Sequence, residues 1–214
     1  MSQEPQFSSS VYGPVESWRF GRSLGIDPIL VTSTCSFNCV YCQLGAIQNV
    51  TDQRGEFVSL EQLRRDLEPV DWAQVDVVTF SGSGEPTLAT NLEAMVELIR
   101  QRTKVPIHLL SNSTQFYLPQ VRREVMGFDV IACKLDAVNQ QALERINRPA
   151  PGVTIERIVE GIVALKQEFG GRLTLQIMFM PMNVKEVYDW VPLINKIQPA
   201  EVQLNTPRRP YPLQ

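Results

Sequence analysis

Histidine is nearly absent from this 214-residue chain, cysteine is scarce, and neither a long apolar run nor a block of basic residues is present. With one histidine, His108, and four cysteines, the chain has donors for few metal centres and one imidazole for acid–base work. The opening MSQEPQFSSS is polar and lacks the apolar stretch of a signal peptide. No segment approaches the roughly 20 apolar residues of a membrane span. A soluble, cytoplasmic chain without membrane attachment is therefore expected. Net charge is −3, and the arginines come as separated pairs, Arg64 with Arg65, Arg122 with Arg123 and Arg208 with Arg209. Neutralising phosphates takes a clustered basic face, so a tRNA partner stays open but is not favoured by charge. Such pairs suit solvated helix surface.

What is there is concentrated. Cys35, Cys39 and Cys42 lie in CSFNCVYC with C-x3-C-x2-C spacing. An electron-carrying cubane cluster is closed by four cysteines, so three thiolates leave one of four irons open to a non-protein ligand. Zinc also asks for four donors. The remaining cysteine, Cys133, is far downstream. A zinc knuckle or a disulfide pair is the bland reading of the loop; the ligand count disfavours the first and a reducing cytoplasm the second.

Apolar, β-branched runs recur at 26–31, 75–80, 105–110, 129–135, 173–179 and 201–204, with amphipathic stretches between them. Ser59 with Gln62 and Thr90 with Glu93 match the capping box. Thr154 opens a helix ending near Phe169, and Gly127 and Gly170 stand where helices end. Alternating strands and helices predict one α/β domain with a parallel sheet over residues 11–214, preceded by a disordered tail of residues 1–10. An open doubly wound sheet and an incomplete barrel fit equally.

After the second strand comes SGSGEPT, where Gly82 and Gly84 let the backbone approach a ligand and Glu85 would repel a phosphate. A cationic ammonium suits it better. Strand alternation places Asn112 on one face with His108, and Lys134 with Asp136. Gln176 and Asn205 lie on the matching faces of later strands. Cys133 falls on the opposite, helix-covered face and is expected to be a small buried hydrophobe. His108 sits deeper and is expected to be a satisfied core histidine.

The cysteine spacing together with the glycine–glutamate loop closely resembles the radical S-adenosylmethionine (SAM) superfamily. The segments VYGPVESWRFGRSLGID, CSFNCVYCQLG, SGSGEPTL, KLDA, INRP and VQLNTPRRP resemble a bacterial and archaeal branch related to the tRNA wyosine synthases. The resemblance implies a partial (β/α)6 TIM-like barrel open on one side, and TPRRPYPLQ is too short for a usual closing helix. It implies one 4Fe-4S cluster on Cys35, Cys39 and Cys42, with SAM on the open iron. One-electron reduction cleaves SAM there and starts hydrogen abstraction from a substrate. Tyr41 would lie by the adenine, and Gly82, Gly84 and Glu85 by the SAM amino group. Asn112, Gln176 and Asn205 would contact its carboxylate and ribose. Lys134 and Asp136 are the catalytic candidates. A flavodoxin or ferredoxin would supply the electron. Wyosine synthesis uses a second cluster, for which only Cys133 remains, and Glu16 and Trp18 stand where the family has proline and arginine. A tRNA base, a small metabolite and a peptide are all open as substrate. The alternative is a non-catalytic iron–sulfur electron carrier or metal-binding protein.

Overall fold

The computed structural model describes residues 9–17, 19–30 and 32–207. In chain order the elements are β1 (Val11–Ser17), β2 (Gly21–Ile26), β3 (Thr34–Cys35), β4 (Asn49–Val50), α1 (Leu60–Asp66), β5 (Val77–Phe80), α2 (Leu92–Arg100), β6 (Ile107–Ser111), α3 (Pro119–Glu124), β7 (Val130–Lys134), α4 (Gln140–Ile146), α5 (Ile155–Glu168), β8 (Arg172–Met178), α6 (Trp190–Ile197) and β9 (Glu201–Asn205). Seven strands form one sheet in the order β1-β2-β5-β6-β7-β8-β9. β2 and β5 to β9 run parallel, and β1 is antiparallel to β2 at the edge. The small pair β3–β4 stands apart and carries Cys35.

Alternation along the strands builds the two layers. Ile107 and Leu109 of β6, Ile131 and Cys133 of β7, and Leu173 and Leu175 of β8 are all at most 1% exposed. They belong to one core with Leu92, Met95 and Ile99 of α2 and Ile158, Ile162 and Leu165 of α5. Alternate positions of the strands, Thr79 on β5, His108 on β6, Thr174 and Gln176 on β8 and Gln203 on β9, give the inner face a polar lining. The six parallel strands are the expected open barrel, with β1 at one edge and β9 at the other. Across that gap the Arg19 side chain, in the β1–β2 turn, donates to Asn205 Oδ1 on β9.

Several expected boundaries move, each for a visible reason. The strand expected at 26–31 is instead β2, Gly21–Ile26. Asp27 ends it by accepting from the amides of Ile29 and Leu30, both at 3.0 Å, and Leu30 takes φ 60°. β1 carries no apolar alternation, being largely exposed, which hides it in the sequence. Ser59 and Thr154 cap α1 and α5 as expected, each accepting from the amide three residues on. The Thr90 cap does not form: α2 begins after Asn91, whose Nδ2 donates to Val58 O at 2.9 Å. Of the tail expected at 1–10, residues 1–8 lie outside the described residues. Ser10 is fully buried and donates through N and Oγ to Asp66. Trp18 and 208–214, most of the short C-terminal segment, also lie outside the described residues.

Trp190 closes the core beneath β7 and β8. It is 1% exposed, its Nε1 donates to Leu135 O at 3.2 Å, and it meets Phe179 edge-on with centroids 5.1 Å apart. Trp190→Ala should cost about 3–5 kcal/mol of stability, measured by urea denaturation; an unchanged midpoint would contradict this packing.

Candidate active site

The cysteine loop has little regular structure of its own, so its shape is imposed by distant segments. Asn38 N donates to Asn147 O at 2.9 Å, Val40 N to Ile146 O at 2.9 Å, and Ala150 N to Ser36 O at 2.8 Å. Residues 146–150, the last residue of α4 and the four that follow it, thus act as the backbone template for residues 36–40. Upstream, Thr34 N donates to Ser83 O at 3.1 Å and Glu85 N to Thr34 O at 3.1 Å. This stitches the loop to the glycine–glutamate segment. Two tight turns, Cys42 N to Cys39 O at 3.0 Å and Gly45 N to Cys42 O at 3.1 Å, complete it.

Cys35, Cys39 and Cys42 are half-buried and free. Cys35 Sγ accepts from Phe37 N and from Asn112 Nδ2, both at 3.4 Å. Cys39 Sγ accepts from Asn147 Nδ2 at 3.3 Å. Burial pushes the Cys35 and Cys42 thiols up and the Cys39 thiol up to about 12. Unligated, these groups are thiols. A neutral thiol is a weak acceptor, so three N–H groups aimed at two sulfurs suit ligating thiolates. Among the described residues no three His, Cys, Asp or Glu side chains are grouped to share one metal ion. Cys133 is fully buried in the helix-facing core, and burial pushes its thiol up to about 12.

In the glycine–glutamate segment both glycines are required by the protein's own packing. A Cβ on Gly84 would stand 1.7 Å from Thr34 O, and one on Gly82 would stand 2.2 Å from the Asp27 carboxyl carbon. The close approach expected toward a ligand is thus, at these two atoms, an approach to the Cys35 strand and to Asp27. Ser83 donates to Asp27 Oδ2 through N at 2.8 Å and Oγ at 2.6 Å. Glu85 is 2% exposed. Its Oε1 accepts from Thr87 N at 3.1 Å, Thr87 Oγ1 at 2.6 Å and Ser111 Oγ at 2.7 Å, and its Oε2 from Asn112 N at 2.7 Å. Burial raises its carboxyl pKa, and the four donors draw it partly back. This carboxylate knots the loop after β5 to the end of β6. The segment's exposed part is the backbone at Gly82.

Three of the later-strand candidates meet the cysteine loop. Asn112 bridges Cys35 and Ser36, donating to Ser36 Oγ at 2.9 Å. Asp136, 2% exposed, accepts from Tyr41 Oη, from Asn147 Nδ2 at 3.2 Å and from Met178 N at 2.7 Å. Lys134 Nζ lies 3.5 Å from Asp136 Oδ1 and 5.0 Å from the centre of the Tyr41 ring. Burial raises the Tyr41 pKa well above its ordinary value, so the phenol stays a donor. Gln176 and Asn205 are engaged elsewhere: Gln176 Nε2 donates to Gln203 Oε1 at 2.8 Å, and Asn205 accepts from Arg19. His108 is buried as expected but not satisfied. Its Nδ1 has no partner, and its ring packs edge-on against Phe20 at 4.6 Å. Burial lowers its pKa.

Sequence reasoning missed Asp27 and Asn147. Both lie inside the family-like segments, SLGID and INRP, but nothing local marks their work, since each binds a partner more than 50 residues away.

Comparison with known proteins agrees with this geometry. The sequence model described as the Radical SAM superfamily matches residues 29–193. UPF0026 protein slr1464 of Synechocystis is 48% identical over 206 residues, covering 96% of this chain and 78% of the relative. Among solved structures, TYW1 with a lysine-pyruvate adduct bound superposes with a TM-score of 0.66 at 15% identity, over 88% of this chain and 66% of that one. Tagged anSMEcpe with bound AdoMet gives 0.67 at 17% identity, over 88% and 50%. The chain thus spans two thirds or less of these two solved chains, whose likeness is one of fold. The chain belongs to the radical SAM superfamily, enzymes that use a 4Fe-4S cluster and SAM.

In Glu85→Gln either amide orientation sets an NH2 group against an N–H or O–H donor. The substitution should destabilise the cofactor-free protein by about 1–3 kcal/mol, read from denaturant midpoints. An unchanged midpoint would show that Glu85 does not hold the loops together.

Proposed function

We propose that this radical SAM chain holds a single 4Fe-4S cluster on Cys35, Cys39 and Cys42, binds SAM beside it, and abstracts hydrogen from a substrate at the open side of the barrel. The observation that carries this is the stitching of the cysteine loop to the glycine–glutamate segment through Thr34, Gly84 and Glu85. Two features that in sequence stand forty-odd residues apart meet as one surface. When bound, the cofactors supply the reductive cleavage of SAM.

The chain's own residues then have separable tasks. The exposed backbone at Gly82 offers polar groups for the SAM ammonium, while the Glu85 carboxylate is spent on holding Asn112 and Ser111 in place. Asn112 keeps its amide on Cys35. Tyr41, fixed by Asp136, sets a flat apolar face beside the cluster loop for the adenine. Lys134 presents the cation of this mouth, 22% exposed at its side chain, where it can meet a carboxylate or move a proton; Asp136 orients it. Gln176 and Asn205 line the barrel farther out. Near them a cavity of about 390 Å³ is lined by Arg19, Phe20, Glu201, Gln203, Leu204 and Asn205, at the gap between β1 and β9.

A tRNA base, a small metabolite or a peptide is the substrate class. The wyosine reaction itself is not favoured, because one cysteine outside the triad cannot hold a second cluster. Nor is a plain electron carrier: its fourth ligand would have to be Cys133, under the helices. A cytoplasmic flavodoxin or ferredoxin is the electron source. Among the described residues no helix is long and apolar enough to cross a membrane.

Anaerobic reconstitution should give about four irons per chain and, with dithionite, release of 5'-deoxyadenosine from SAM. Cys39→Ala should lose both. SAM that binds but is never cleaved under strong reductant would refute the reading.

A further inference from the structure

We infer that Asn147 is a positioning residue whose amide joins the Cys39 sulfur to the Asp136 carboxylate and thereby sets how readily the bound cluster accepts its electron. This rests on the proposed role of Cys39 as a ligand. Asn147 is 1% exposed, and its Nδ2 lies 3.3 Å from Cys39 Sγ, 3.2 Å from Asp136 Oδ2 and 3.4 Å from Tyr41 Oη. An amide nitrogen carries two hydrogens. Three acceptors face those two hydrogens, Cys39 Sγ, Asp136 Oδ2 and the lone pairs of Tyr41 Oη, whose own proton goes to Asp136; the carboxylate and the sulfur are the nearer two. The flipped amide would set its oxygen against that carboxylate, which fixes the assignment.

The backbone holds the side chain there. Asn147 N donates to Leu143 O at 2.8 Å, closing α4, and Asn147 O accepts from Asn38 N at 2.9 Å. The amide oxygen, by contrast, is buried with no hydrogen-bond partner. Leaving a buried acceptor unpaired is costly, so a side chain needed only to fill space would be better served by an apolar residue. The fold accepts that cost and keeps the nitrogen on the sulfur.

Hydrogen bonds to cluster sulfurs and nearby charge set the potential of an iron–sulfur centre. A ligating Cys39 is a thiolate, and the Asp136 carboxylate, ion-paired with Lys134 at 3.5 Å, lies beside it. The shared amide compensates both. Without it the added electron would enter beside two less-screened negative groups. Asn112 does the corresponding work at Cys35, but its other side-chain contacts are the Ser36 hydroxyl and the hydroxyl and backbone N–H of Thr114. Asn112 meets the Glu85 carboxylate through its backbone N–H, so a single side-chain amide that touches both sulfur and carboxylate is the arrangement of the Cys39 side.

The test compares the native chain with Asn147→Ala and Asp136→Asn after anaerobic loading with iron and sulfide. Iron content, circular dichroism and an EPR-monitored redox titration with dithionite are the readouts. Expected are equal iron contents, a midpoint potential shifted negative in Asn147→Ala, and one shifted positive in Asp136→Asn. Unshifted potentials would overturn the inference and leave the proposed function standing. An Asn147→Ala protein with native circular dichroism but no iron would also overturn it, since Asn147 would then only shape the loop. If Asn147→Ala does not fold, Asn147→Leu, which keeps the volume and removes the N–H, decides: a negative shift supports the inference and no shift overturns it. A native chain that takes up no cluster would remove the proposed function and this inference together.

Discussion

Three thiols must be held half-buried and ready to become thiolates on a loop with almost no secondary structure of its own. The loop's shape comes from backbone hydrogen bonds to the last residue of α4 and those that follow it, and to residues that follow β5. Ser36, Asn38 and Val40 use the first set; Thr34 uses the second. Each of those segments is placed by a parallel strand packed under helices, so the hydrophobic core, far from the sulfurs, decides where the sulfurs stand. The parallel arrangement also brings every loop that matters to the same end of the sheet, as in other barrels built from β/α units.

Carboxylates at the strand ends convert that placement into a fixed surface. Asp27 follows β2 and collects the amides of Ile29, Leu30 and Ser83 and the Ser83 hydroxyl. Glu85 follows β5 and collects four donors from its own turn and from the end of β6. Asp136 follows β7 and gathers Tyr41, Asn147, Met178 and Lys134. Each ties the turn after one strand to the end of its paired neighbour, and Asp136 reaches the cysteine loop as well. Buried carboxylates are costly unless fully hydrogen-bonded, and here the bonds they take are those that shape the mouth. Glu85 in particular serves the scaffold first: its lone pairs are occupied by the protein, and ligand contact falls to the neighbouring backbone.

Much of this was legible in the sequence, and the failures have definite causes. The six parallel strands were visible as apolar runs because buried strands under helices carry a continuous apolar signal. β1 was not, since an exposed edge strand with Gly13, Pro14 and Glu16 has no such signal. The first parallel strand was placed too late because Ile29 and Leu30 are apolar, although Asp27 has already turned the chain. Motif and alternation single out the cysteines, Glu85, Asn112 and Asp136, whose side chains lie on or next to the cysteine and glycine–glutamate loops. Asp136 was grouped with Lys134 correctly, but its main partners, Tyr41 and Asn147, are contacts across the fold that no local pattern encodes. Gln176 and Asn205 share the right face, yet alternation says nothing of depth or of the neighbours Gln203 and Arg19 that occupy them. His108 was expected to be satisfied, and register alone cannot show that its Nδ1 would find no partner.

The central claim is that three sulfurs hold the cluster and the remaining iron is left to SAM. EPR of the reduced protein, with and without SAM, in the native chain and in Cys133→Ala tests it most directly. The account predicts the same cluster signal in both proteins and the same change on adding SAM. Loss of the signal in Cys133→Ala, or a native spectrum indifferent to SAM, would contradict it.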